Sequence, residues 1–187
     1  MRLEPNGKWK SFRAKQRMSI SLVEFAWRAG IKMGPLMTAV VVDAYEAGHG
    51  RLDVKLWGAI RVAHDEGPAV DRGEAQRYLA ELPWNASAFL DNESLRFDEG
   101  PEGSVRVWAG DPATYVDLHF DEEGDIVRTY TETREHGHEG CVPWEGNFSA
   151  YETFGSLRMP THGEVSWQRP TGSFTYWRGD IVSLDWE

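Results

Sequence analysis

Apolar and polar residues alternate with a period of two along much of this chain. In the clearest run, Arg51–Val62, the residues Leu52, Val54, Leu56, Ile60 and Val62 fall on one face, and Arg51, Asp53, Lys55 and Arg61 fall on the other. That is the pattern of a half-buried strand. Further strands are predicted at Trp9–Gln16, Ser19–Trp27, Leu36–Tyr45, Val105–Trp108, Thr114–Phe120, Asp125–Arg134, Asn147–Phe154, Glu164–Gln168, Phe174–Arg178 and Ile181–Trp186. Turn-forming residues separate them, as at Glu46–Gly50, Asp121–Asp125 and Arg169–Gly172, so successive strands are expected to pair as antiparallel hairpins. Two segments depart from simple alternation. In Ser19–Trp27, Ile20 and Leu22 lie on one face while Val23, Phe25 and Trp27 lie on the other, and Leu36–Val42 is almost continuously apolar. Strands apolar on both faces are covered on both. One side therefore packs against another layer or lines a cavity.

One segment changes period. Ala75, Tyr78, Leu79 and Leu82 recur at helical spacing, Asp71 and Glu74 have the spacing of a capping box, and Pro83 closes the run. Arg77 and Glu81, four apart, are expected as an exposed ion pair. Asn85 is placed to cap a second short turn over Ala86–Leu90. The chain thus reads as one mainly β (α+β) domain over residues 1–187. The expected form is a single curved, mostly antiparallel sheet or half-open barrel of about ten strands, wrapped around a helical insertion at about residues 71–90.

Nine Trp, eight Phe and six Tyr supply the apolar surface for a core, each fully buried aromatic contributing about 1.5–3 kcal/mol. The single cysteine, Cys141, rules out a disulfide framework within one chain. A net charge of −10 and the lack of any Lys/Arg-rich run argue against nucleic acid as a partner. No apolar stretch reaches the about 20 residues of a membrane-spanning helix, and the opening MRLEPNGKWK has no signal-peptide core. A cytoplasmic location is expected. The Asn-x-Ser triplets at Asn85, Asn92 and Asn147 are accordingly read as chance.

Several stretches carry a recognisable pattern. They are Gly67-Pro68 followed by GEAQRYLAELPW at Gly73–Trp84, and PWEGNFSAY at Pro143–Tyr151 followed by Leu157–Pro160, Glu164–Trp167 and YWRG at Tyr176–Gly179. Phe25–Trp27, Asp43–Tyr45 and Lys55–Gly58 fit the same pattern. In these residues the chain resembles an uncharacterised bacterial domain-of-unknown-function family over most of its length. That family has no assigned activity. Its strand–helix–strand layout looks like the lipoprotein-carrier half-barrel, which implies a cup for an apolar ligand, although fold does not fix function.

The chemistry-bearing clusters are weak. His136, His138 and Cys141 share one glycine-rich loop and lack the second ligand pair that marks a zinc motif, so a polar hairpin is expected, with no metal and no cofactor. Asp121–Asp125 lacks the full calcium-loop spacing. No nucleophile elbow is present. Phe174, Tyr176 and Arg178 share a strand face; an inward Arg178 needs a carboxylate partner, for which Glu74, Glu81, Glu152 and Glu164 are candidates. Aromatic walls with a few polar groups make a ligand pocket. The leading expectation is a non-enzymatic carrier of an apolar or amphipathic small molecule. Its candidate binding residues are Trp27, Tyr45, Arg77, Tyr78, Trp84, Tyr151, Tyr176 and Arg178. An enzyme using an Arg/Glu/Tyr cluster inside the cup is the second reading, and a protein-interaction module the third.

Overall fold

The computed structural model describes residues 1–185 and, among them, every side chain but that of His138. The chain is mainly β and antiparallel, and its strands divide between two sheets that do not close into a barrel. The first sheet is a five-stranded meander: β1 (Phe12–Met18), β2 (Phe25–Lys32), β3 (Thr38–Glu46), β4 (His49–Leu56) and β5 (Ile60–Glu66). Helix α1 (Pro68–Ala80), a turn of 3-10 helix at Leu82–Trp84 and the short α2 (Ala88–Asp91) follow. The second sheet is a seven-stranded meander: β6 (Arg96–Glu99), β7 (Val105–Trp108), β8 (Tyr115–Phe120), β9 (Ile126–Thr131), β10 (Trp144–Phe154), β11 (Leu157–Arg169) and β12 (Gly172–Asp180). Among the described residues no helix is long and apolar enough to cross a membrane.

Local turn chemistry explains where the structure departs from the periodicity. Arg51–Val62 is two strands, because Trp57 and Gly58 both take positive φ (50° and 72°) and reverse the chain as a hairpin turn. Leu56 then pairs with Ile60, and Ile60 and Val62 are exposed. Ser19–Val23 is not strand: the Ser19 hydroxyl accepts hydrogen bonds from the Ser21 and Leu22 amides, which folds the segment into a bend with Ile20 and Leu22 outside. The apparent two-sided strand is therefore a loop followed by β2, whose Phe25, Trp27, Ala29 and Ile31 all point inward. Leu36 likewise belongs to a loop and is exposed. Strand β6 has all four side chains exposed, so it lacks the apolar alternation that announces a strand. Residues 181–185 are not strand, and Trp186 lies outside the described residues.

Helix α1 begins earlier than the capping box implies. Gly67, at φ 111°, leads into Pro68, whose missing N–H costs nothing in the first turn. Asp71 lies inside the helix, and its Oδ1 accepts the Gly50 amide at 2.7 Å, which ties α1 to β4. The helix packs against β3–β5 on one side and β7–β8 on the other. Its buried residues consequently include Glu74 and Gln76 as well as Ala75, Tyr78 and Leu79. Tyr78, Leu79 and Leu82 join Phe25, Trp27 and Ile31 of the first sheet to Val107, Val116, Leu118 and Trp144 of the second in one core. Trp84 packs on the second sheet, edge-on to Phe148 at 5.1 Å and near Trp177 at 5.9 Å.

The approach of α1 to β4 requires glycine. A Cβ on Gly50 would lie 2.7 Å from the Val70 carbonyl oxygen, which belongs to backbone and cannot swing aside. Gly50→Ala is expected to lower the unfolding free energy by about 1–3 kcal/mol in urea denaturation. Wild-type stability in that variant would contradict the contact.

Candidate functional site

Charged side chains gather between α1 and the first sheet. Asp43 is on the inward face of β3, in the alternation Val41–Asp43–Tyr45. Arg77 reaches it from α1 through Nη1, and its Nε donates to Glu81 Oε1 at 2.8 Å. Gln16 donates to the other oxygen of Glu81 at 2.6 Å, and the guanidinium sits over Phe25 and Trp27 at 4.8 and 5.1 Å. The Arg77, Asp43 and Glu81 side chains are only 14%, 13% and 14% exposed. The expected surface pair is thus a buried network. Burial disfavours the charge on Arg77, but Glu81, Asp43 and Glu74 outweigh it and hold the guanidinium protonated.

Glu74 completes the cluster. Its neighbour Arg134 lies 3.7 Å away, donates to the Gly73 carbonyl and covers Trp144 at 4.4 Å. Burial first, and then the Asp43 carboxylate, push Glu74 up to about 8 against the opposing pull of Arg134 and Arg77. Glu74 Oε2 and Asp43 Oδ1 are both buried without a donor. One proton on Glu74, given in a hydrogen bond to Asp43, supplies it. With Glu74 neutral, Asp43 and Glu81 balance Arg77 and Arg134, and a buried cluster carries no net charge.

The other residues expected to bind a ligand are dispersed. Trp27 and Tyr78 are in the core. The Tyr78 hydroxyl donates to the Ser19 carbonyl at 2.8 Å and accepts from Asn92 at 3.1 Å. Asn85, also buried, donates to the same carbonyl instead of capping a helix. Tyr45 is half-buried opposite Gly50. Tyr176 accepts the Trp144 indole N–H at 3.0 Å, and Trp84 donates to the Pro160 carbonyl at 3.0 Å. Arg178 is half exposed, pairs with Glu164 at 2.9 Å and covers Trp9. His136 packs its edge against Trp167 and pairs with Glu139, while Cys141 is exposed. The side chain of His138 lies outside the described residues.

Tyr151 of that set lines a cleft. The cleft, about 270 Å³, is walled by Pro83, Ala86 and Phe89 of the helical segment and by Phe120, Ile126 and Tyr151 of the second sheet. Arg158 and Asp125 also line it: Arg158 donates to Asp125 at 2.9, 3.1 and 2.6 Å, and its guanidinium faces the Tyr151 ring at 5.3 Å. The Tyr151 hydroxyl donates to the Ile126 carbonyl at 2.6 Å; burial and the nearby Asp125 and Asp121 raise its pKa, so it stays protonated. Phe120 of the cleft is exposed, and Phe89 has the exposed Phe97 6.1 Å away. A second, polar cleft of about 530 Å³ runs between the β3–β4 turn and the start of α1 and includes His49, Arg51, Glu66 and Asp71. Neither cleft is lined by a member of the buried charge cluster. The other residues of the Tyr151 cleft come from the helical segment, from β8, β9 and β11 and from the β8–β9 turn, so no local periodicity marks them as a group.

No curated protein and no solved structure matches the chain. A sequence profile described as a family of unknown function (DUF6920) matches residues 1–186, and the chain belongs to that family.

Proposed function

We propose that this protein binds an amphipathic small molecule, with the apolar part in the Pro83–Phe89–Phe120–Tyr151 cleft and the polar head against Arg158 and Asp125. The observation that carries this reading is the composition of the cleft: apolar and aromatic walls with one fixed ion pair, the usual makeup of a small-ligand site. Its volume, about 270 Å³, is just below the about 300–1,000 Å³ usual for such sites, which fits a short acyl chain or a single ring. The space between the sheets is a less suitable place, because Trp27, Tyr78, Leu79 and Leu82 occupy it. Arg158 is already neutralised by Asp125, so a head that both donates and accepts hydrogen bonds complements the pair better than a bare anion.

Native mass spectrometry and calorimetric titration with a medium-chain monoacylglycerol, compared with the matching fatty acid, test this. Binding is expected, with the glyceride favoured. Ala86→Phe fills the cleft from its half-buried rim and is expected to weaken binding at least tenfold while unfolding as wild type does. Absence of binding to the wild-type protein, or unchanged binding in that variant, sinks the reading.

A further inference from the structure

The sheet register assembles a charge pattern that no stretch of the sequence contains. On β1, Arg13, Lys15 and Arg17 share the outward face. Lys15 pairs with Arg28 of β2, and Arg13 with Gly30, so Arg28 and Lys32 stand beside them on that face. Arg13, Lys15, Arg28 and Lys32 are exposed and have no ion-pair partner among the described residues. The residues that follow outward on β3, Val40 and Val42, are small and uncharged. On β4 and β5 the charges are partly compensated: Asp53 is held between Arg61 at 3.2 Å and His64 at 2.9 Å, with Arg51 at 3.8 Å. One half of one face is therefore strongly basic on a chain of net charge −10.

Apolar side chains are exposed at the end of the same face. Lys32 pairs with Thr38, and the Thr38 carbonyl accepts the Trp57 amide. The Trp57 indole N–H in turn donates to the Leu36 carbonyl at 3.0 Å. Trp57 is 58% and Leu36 91% exposed. A tryptophan with one satisfied polar edge beside a bare leucine is suited to a membrane–water interface.

We propose that the outer face of β1–β2 docks on a membrane surface rich in anionic lipid headgroups, with Trp57 and Leu36 entering the interfacial layer. The outward positions of β1 and β2 carry no aromatic stacking platform of the kind single-strand binders use, and no helix stands on them to enter a duplex groove. Its charge meets the negative potential of such a surface. The acidic remainder of the molecule is repelled by that surface, which fixes the orientation. The inference is independent of the ligand cleft on the other sheet.

Flotation with phosphatidylcholine vesicles, with and without 30 mol% phosphatidylglycerol, tests it. Binding is expected only to the anionic vesicles, falling at least tenfold in 0.5 M NaCl. The variant Lys15→Glu/Arg28→Glu/Lys32→Glu is expected to lose binding at least tenfold with its unfolding midpoint unchanged, and Trp57→Phe to remove the blue shift of tryptophan emission on binding. Ala86→Phe is expected to bind vesicles as wild type does. Equal binding to neutral vesicles, no binding, tighter capture by duplex DNA or single-stranded RNA, or displacement by millimolar glycerol phosphate would each overturn the proposal.

Discussion

Replacing Arg77 by leucine is expected to remove about 3–5 kcal/mol of stability, the usual cost of stripping the partner from buried charges. Asp43 loses its ion pair altogether, and Glu81 keeps only Gln16. Phe25 and Trp27 lose the cation above their rings. Against a typical total of about 5–15 kcal/mol, such a loss places the variant near its folding threshold at 37 °C. Arg77→Lys keeps a charge but cannot address both carboxylates with a fixed fork, so it is expected to fall between wild type and leucine. Urea denaturation followed by far-UV circular dichroism at pH 7 measures all three. A leucine variant within 1 kcal/mol of wild type would show that the cluster is solvated in solution.

The second large effect is a pH dependence. Glu74 is held up at about 8 in the folded protein, whereas an unfolded glutamate titrates near 4.3. The folded state therefore binds this proton more tightly. The resulting stability is fully present below the unfolded value and is lost as pH rises through about 8, at up to about 1.4 kcal/mol per pH unit in between. Asp43, Arg77 and Arg134 are the charged groups that act on it, and none is a histidine. Glu74→Gln keeps a donor toward Asp43 without a titrating proton. The expected result is a shallower fall in unfolding free energy between pH 5 and 8 than in wild type, and a variant more stable than wild type at pH 8.5. Parallel pH profiles would mean that Glu74 is ionised and paired with Arg134 throughout.

Much of the second sheet is legible in the sequence. The strands expected at Val105–Trp108, Thr114–Phe120 and Phe174–Arg178 overlap β7, β8 and β12, and Val107, Val116, Leu118 and Phe174 carry their core-facing positions. The Ala75–Tyr78–Leu79–Leu82 stripe was equally plain, and all four are buried. The errors have a common origin. Trp57-Gly58, Ser19 and Gly67-Pro68 are local backbone devices that redirect the chain without disturbing the hydrophobic count around them. Asp43 offered one faint signal, a carboxylate at an inward position between Val41 and Tyr45, and Glu74 was hidden by its resemblance to a cap.

What the amino-acid sequence determined by itself was the β class, the antiparallel order and the single major helix, since each depends on periodicity and turns within a few residues. The tertiary structure alone decided that the strands form two sheets and that Arg77 is buried. It also decided where Pro83, Phe120 and Tyr151 meet as a cleft, and that the lysines and arginines of β1 and β2 stand together. Packing a helix against sheets on two sides buries its polar face along with its apolar one. Pairing strands sums charges that alternation keeps apart along the chain. Neither effect is a property of any local window of residues.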